Sequence, residues 1–317
     1  MALPVSVQVP AALDVPAAKG RRGRGDRRKG DGRPAIGFLA PSLIGLLCFT
    51  ALPIIASLVL SFFNWPVIGD HSFNALANYR TLFTQDTAFR TAVLNTLLFV
   101  VLYVPVNIVV SLGIAVWIGP RIKGRRYYRT LFFIPAVTPV VANAAIFGLL
   151  FTPNGLLDSL SQTWFGHPAP NFLASTAYAM PAVVLLSIWQ GFGYNMLVFS
   201  AALDGIPASL TESAAIDGAG PVSSFFRIVL PLLTPSVFFA VVLTLISSFQ
   251  VFAQAFVLTG GGPGNSTTTM VLYLYQQGFQ FFKLGLASAI AWVLFIFIMA
   301  ITIFQFIGQK KWVHYDQ

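Results

Sequence analysis

The chain has 317 residues, 56% hydrophobic and only 9% charged, with a mean hydropathy of +0.76 and a formal net charge of +9. Soluble domains carry about 25% charged residues, so this composition excludes a water-soluble globular protein and puts most of the chain in lipid. The lone Cys48 excludes an intrachain disulfide and reads as a small apolar core residue.

Residues 1–34 lack the early charged region and following apolar core of a signal peptide. Lys19 to Arg33 holds eight basic residues among Gly and Asp, a composition that stays solvated and disordered. Its place before a first membrane span favours a cytoplasmic retention signal and a contact with anionic membrane lipid over nucleic-acid binding. Six segments then reach the ~20 apolar residues that a ~30 Å hydrocarbon layer demands. They run roughly from Ile36 to Phe63, Val93 to Ile118, Thr130 to Phe151, Ala177 to Leu203, Ile228 to Leu258 and Leu284 to Ile307. In lipid each must be helical, because no other open structure satisfies its own backbone groups. The prediction is an all-α membrane protein with six transmembrane helices.

Lys and Arg set the orientation. Sixteen lie in the first tail, between spans two and three, after span four and after span six; only Arg80, Arg90 and Lys283 lie in the alternate loops. Both termini and the loop after span four are therefore predicted cytoplasmic. Outside, residues 64–92 are predicted to hold a short surface helix before span two. Residues 152–176 carry Pro, Asn and Gly without Lys or Arg. Residues 259–283 open on TGGGPGNSTTT, read as a flexible glycine turn with a helix capped between Ser266 and Thr269. Tyr273, Tyr275, Phe279 and Phe281 suit the headgroup interface.

The loop after span four is the one long polar interruption, ESAAIDGAGPVSSFFRIVLP from Glu212 to Pro231. Pro207 is expected to open a helix at its first position, running through Leu210 and Ala214 to Asp217. Gly218 and Gly220 are expected to supply the positive φ that closes it. Pro221 opens a second short helix through Phe225 and Phe226, set at a sharp angle to the first. The same residues also read as an ordinary connecting loop with a charged face.

Glu212, Ser213, Ala214, Ala215, Asp217, Gly218, Ile228, Leu230 and Pro231 resemble the "EAA" signature of the permease subunits of binding-protein-dependent ABC importers. Ser213 stands where that family usually has Ala, and a small side chain is kept. LTGGGPGNSTTTMVLYLYQQGF, with a weaker NYR…L…NT pattern in the first outer loop, resembles the carbohydrate-uptake subgroup, of maltose and glycerol-3-phosphate type. The resemblance implies a type I importer permease fold with cytoplasmic coupling helices, seated in a cleft of a separate ATPase. It implies a second homologous permease, two ATPase subunits and an extracytoplasmic solute-binding protein that delivers a sugar. ATP and Mg would be bound by the partner ATPase; no cofactor is expected in this chain.

No Asp, Glu, Arg or His falls inside a span. Buried charges in lipid are costly and functional, so this argues against a proton- or sodium-coupled carrier. No GxxxxGK[ST] loop is present either, so the energy must come from a partner. The three histidines, His71, His167 and His314, lie outside the spans. Asp204, Glu212 and Asp217 sit together on the inner side without His or Cys, thin support for a polytopic membrane enzyme or scaffold. Neutral polar groups do occur in the spans. Gln190, Tyr194 and Asn195 in span four and Ser247, Gln250 and Gln254 in span five read as a sugar pathway, because amides match hydroxyls and rings pack on a pyranose face. They read equally as polar glue between helices, like Asn107 and Asn143. Pro135, Pro139, Pro231 and Pro235 are expected to kink spans three and five. The expected organisation is a disordered tail at 1–34, a permease domain at 35–308 with its coupling loop at 204–227, and a cytoplasmic tail at 309–317. A glycerol phosphate or polyol cargo is an alternative, although a phosphate would favour Arg or Lys in the pathway.

Overall fold

The computed structural model describes residues 32–119, 122–311 and 313. The tail expected at 1–34 falls outside these residues up to residue 31, as do residues 314–317 at the other end; α1 already begins at Gly32. The chain divides into two units, 1–53 and 54–317.

In the first unit α1 (Gly32–Leu46) runs into a π turn, Leu47–Ala51. In sequence there follow α2 (Leu52–Leu60), a hairpin of β1 (Phe63–Asn64) and β2 (Ser72–Phe73), and the predicted surface helix, α3 (Ala77–Thr84). The two-residue strands pair antiparallel, Phe63 with Phe73 and Asn64 with Ser72. Next come α4 (Thr87–Trp117), α5 (Arg125–Val137), α6 (Val140–Phe151), α7 (Leu156–Phe165) and α8 (Ala179–Asp204). The loop after α8 holds α9 (Ala208–Ile216) and α10 (Pro221–Ser224). Then α11 (Leu230–Phe249), α12 (Ala253–Thr259), α13 (Met270–Tyr275) and α14 (Leu284–Gly308) complete the chain. Among the described residues, five helical runs are long and apolar enough to cross a membrane, and a sixth crossing is reached when the bent pair of α5 and α6 is counted as one span.

That sixth crossing corrects a prediction. Span three is not kinked but broken, with α5 and α6 at 92°. Pro139 disfavours helical geometry at the residue before it, and Thr138 takes ψ 135°. Having no N–H, Pro139 cannot donate to the carbonyl four residues back. Asn143 Nδ2 donates to that Pro135 oxygen at 3.2 Å instead. Span five also differs. It stops at Phe249, and residues 250–252 separate it from α12, so Gln254 belongs to a short helix packed on α6 and α8. Span two starts at Thr87, earlier than expected, because Asp86 accepts from Phe89 N at 2.8 Å and caps it.

Lipid offers no hydrophobic drive between helices, so close approach and polar pairing hold the bundle. α4 is central and packs on α8 and α11. A Cβ on Gly193 of α8 would lie 2.6 Å from the Phe132 carbonyl oxygen of α5, so only glycine admits this crossing. After α12 the TGGGPG turn is pinned rather than flexible. Thr267 and Thr268 hydroxyls donate to the Gly262 and Gly261 carbonyls at 2.9 and 3.1 Å, and Asn95 Nδ2 donates to the Asn265 and Thr268 carbonyls. Thr269 caps α13 as predicted. Tyr273 and Tyr275 do not sit at an exposed interface: Tyr273 is buried and donates to Asp86 at 2.6 Å, while Tyr275 packs against Phe252 and Phe256. Phe279 and Phe281 are exposed.

Candidate coupling loop and translocation face

α9 is closed by two backbone bonds: Gly218 N donates to Ala215 O at 3.1 Å and Ala219 N donates to Ala214 O at 2.9 Å. This crossed pair requires a left-handed residue between them, and Gly218 supplies it at φ +82°. Gly220 does not share that role; it is extended, at φ −68°. Pro207 likewise stands one place before α9, as its N-cap, rather than inside it.

The second helix differs from expectation. Pro221 does open α10, yet α10 passes without interruption through a π turn, Phe225–Val229, into α11. Leu230 N reaches back to Phe225 O, and this wider turn falls just before Pro231, which has no N–H to offer. The span therefore extends into the loop as a handle rather than ending in a separate helix. Ile228 and Leu230 are half-buried along it. Ala214 is buried where α9 meets α10 and the π turn. Glu212, Ser213, Ala215 and Asp217 face outward. So do Leu210, Ile216, Val222 and Phe226, an apolar patch on an otherwise polar loop.

Asp204, the last residue of α8, is not grouped with Glu212 and Asp217 by any contact. It accepts from Arg125 Nη1 at 2.8 Å and from Arg129 Nη1 at 2.9 Å, both on the first turns of α5. Sequence reading missed this fork. The signal was there: two arginines four apart, on one helix face, ahead of an acidic residue that ends another span.

The residues singled out inside the spans divide into two groups. Asn195 is buried, and its Nδ2 donates to Asn107 Oδ1 at 2.7 Å and Thr244 Oγ1 at 2.8 Å, joining α8 to α4 and α11. In this conformation its amide is used as an interhelical tie. Asn195→Leu is expected to leave both partners unpaired and to destabilise the purified protein by about 1–3 kcal/mol, read as a lowered Tm. Gln254 Nε2 donates to Gln190 Oε1 at 3.2 Å, latching α12 to α8. Tyr194 and Ser247 are exposed on helices of membrane-spanning length, and Gln250 is exposed just past the end of α11. At the break between α5 and α6 opens a cavity of about 390 Å³ lined by Pro135, Thr138, Asn143, Phe147 and Trp189 among others.

The chain thus presents helices of membrane-spanning length and one handled, glycine-closed loop. The family model described as "Binding-protein-dependent transport system inner membrane component" matches residues 107–312. The chain belongs to that family. It is 37% identical over 290 residues to the "Probable ABC transporter permease protein YesP" of Bacillus subtilis (strain 168), covering 88% of this chain and 91% of that protein. It is 38% identical over 251 residues to the "sn-glycerol-3-phosphate transport system permease protein UgpA" of Yersinia pestis, covering 77% and 82%. A crystal structure of a bacterial ABC transporter involved in the import of alginate contains a chain of the same fold, with TM-score 0.77 and 24% identity over 88% of this chain and 96% of that one. The fold is thus the type I importer permease fold, and the protein is a transport subunit of the inner membrane.

Proposed function

We propose that this subunit forms half of the translocation pathway of an ATP-driven importer for a neutral sugar. A second homologous permease completes the pathway, two copies of a cytoplasmic ATPase bind the nucleotide and Mg, and a solute-binding protein delivers cargo from outside. Both termini and the loop 204–227 face the cytoplasm, and no cofactor resides in this chain. The observation that carries the reading is the inner loop: Glu212 and the exposed apolar side chains of Leu210, Ile216, Val222 and Phe226 stand on two helices fixed at Gly218. An apolar patch of this kind marks a protein interface. Glu212, Ser213, Ala214, Ala215, Asp217 and Gly218 form its coupling face, and Ile228, Leu230 and Pro231 carry its movement into α11.

Cargo is assigned to the face that carries Tyr194, Ser247 and Gln250, with the Gln190–Gln254 pair behind it. Polar groups on the flank of a spanning helix are stable only against water or a partner subunit, which is what a half-pathway offers. Asn195 holds the wall of that pathway. A glycerol phosphate cargo is favoured by one fact, the name of the Yersinia relative; against it, no cation stands among these residues.

Affinity purification of this chain should bring down an ATPase and a second permease. A membrane-impermeant maleimide should label Ile216→Cys only from the cytoplasmic side. Labelling from outside would refute the orientation, and a complex lacking an ATPase would refute the assembly. Ligand retained by the cognate binding protein then decides between neutral sugar and glycerol phosphate.

A further inference from the structure

The Asp204 fork ties together two elements that the sequence separates by more than seventy residues. Asp204 is the last residue before the loop that leads to α9. Arg125 and Arg129 begin α5, whose far end is the 92° break. The fork is two-sided: Arg129 Nη2 also approaches Asp204 Oδ1 at 3.3 Å, so both oxygens are engaged.

Such a pair does little for stability. The side chains of Arg125, Arg129 and Asp204 are 40%, 20% and 30% exposed, and ion pairs of this kind contribute under about 1 kcal/mol. Arg129 is moreover held at a cost, since its Nε is buried without an acceptor. What the fork supplies is geometry, because a bidentate guanidinium fixes direction as well as distance. Higher up, α5 and α8 meet again where Gly193 abuts the backbone of Phe132 and Phe133. Two attachments along one pair of helices remove their freedom to slide or splay.

We infer that Asp204, with Arg125 and Arg129, is a positioning group that makes α5 and α8 one rigid arm, so that movement of the α9 loop swings α5 and is released at the Thr138–Pro139 break. This rests on the proposed ATP-driven coupling. The break is what allows it: α6 packs chiefly on α12, whereas α5 packs on α8. Neither Arg nor Asp touches cargo or nucleotide in this scheme.

The test uses the full importer complex in nanodiscs, in a Cys48→Ser background, with spin labels at three exposed positions. Ser209→Cys reports α9, Tyr127→Cys reports α5 and Leu149→Cys reports α6. Distances are measured without nucleotide and after trapping with MgATP and vanadate. The 127–209 distance should change by less than about 2 Å, the scale of a packed helix shift, while 149–209 changes by more than about 5 Å, the scale of a full helical turn. Asp204→Asn should let the 127–209 distance broaden and shift on trapping, and Asp204→Glu should restore it. The inference is overturned if 127–209 shifts as much as 149–209 in the unaltered protein, or if Asp204→Asn leaves the 127–209 response unchanged. If neither distance responds to MgATP, the ATP-driven reading itself fails.

Discussion

Gly218→Val is expected to abolish uptake while the subunit still inserts in the membrane. The backbone at Gly218 has φ +82°, and an L residue in the left-handed region costs roughly 1–2 kcal/mol, more when β-branched. A valine can relieve that strain only by breaking the two bonds that close α9, each worth about 1 kcal/mol. If the loop docks an ATPase as proposed, these costs together weaken that docking by more than about tenfold, since ~1.4 kcal/mol is a factor of ten. The effect is conformational, because among the described residues a Cβ here would meet nothing within 4 Å beyond its own chain neighbours. Gly218→Asn is therefore the informative companion: asparagine tolerates the left-handed region and should keep most of the uptake. The measurements are solute uptake in cells and recovery of the ATPase on the purified subunit. Wild-type uptake by the valine variant would remove the coupling role of this loop.

Gly193→Leu should act by a different route and fail earlier. Even the first atom of a side chain would sit 2.6 Å from the Phe132 carbonyl oxygen and 3.1 Å from Phe133 Cα. Both obstacles are backbone, so the only relief is separation of α5 from α8. Overpacking of this type costs about 1–3 kcal/mol, and here it also opens the Asp204 fork and strands the Phe132–Phe192 edge contact. The expected outcome is a several-fold loss of membrane-inserted protein and a lower Tm for what remains. Gly193→Ala should show a smaller loss in the same direction. Unchanged abundance and Tm for the leucine variant would show that this crossing is not close packed.

Much of this architecture was legible because membranes leave few options. Runs of apolar residues marked five crossings and the bent α5–α6 pair as a sixth, and Gly218 marked its own backbone angle. The errors cluster where a local rule has two outcomes. Pro139 and Pro235 both lie in spans; one ends a helix, while the other sits within α11. The difference lies in neighbours, since Asn143 supplies the donor that Pro139 withholds. Glycines likewise read as flexible until the threonines of 267–269 and Asn95, far away in sequence, are seen holding the turn. Asn195 within α8 and Gln250 just past the end of α11 are both amides, and composition does not separate a tie from an exposed group. Burial does: one joins three helices, the other faces outward.

The right-angled break has a consequence for how the protein is made. At ~1.5 Å per residue, the 12 residues of α6 extend only about 18 Å, too short to cross a hydrocarbon layer alone. Residues 125–151 must therefore be accommodated together, with a bend at Thr138–Pro139 that the sequence favours locally and a second half that packs on α12. α12 is synthesised a hundred residues afterwards and supplies the surface on which α6 lies down. Nascent chains arrested before residue 253 should therefore hold a different shape from finished ones, and mutations in α12 should register first as biogenesis defects.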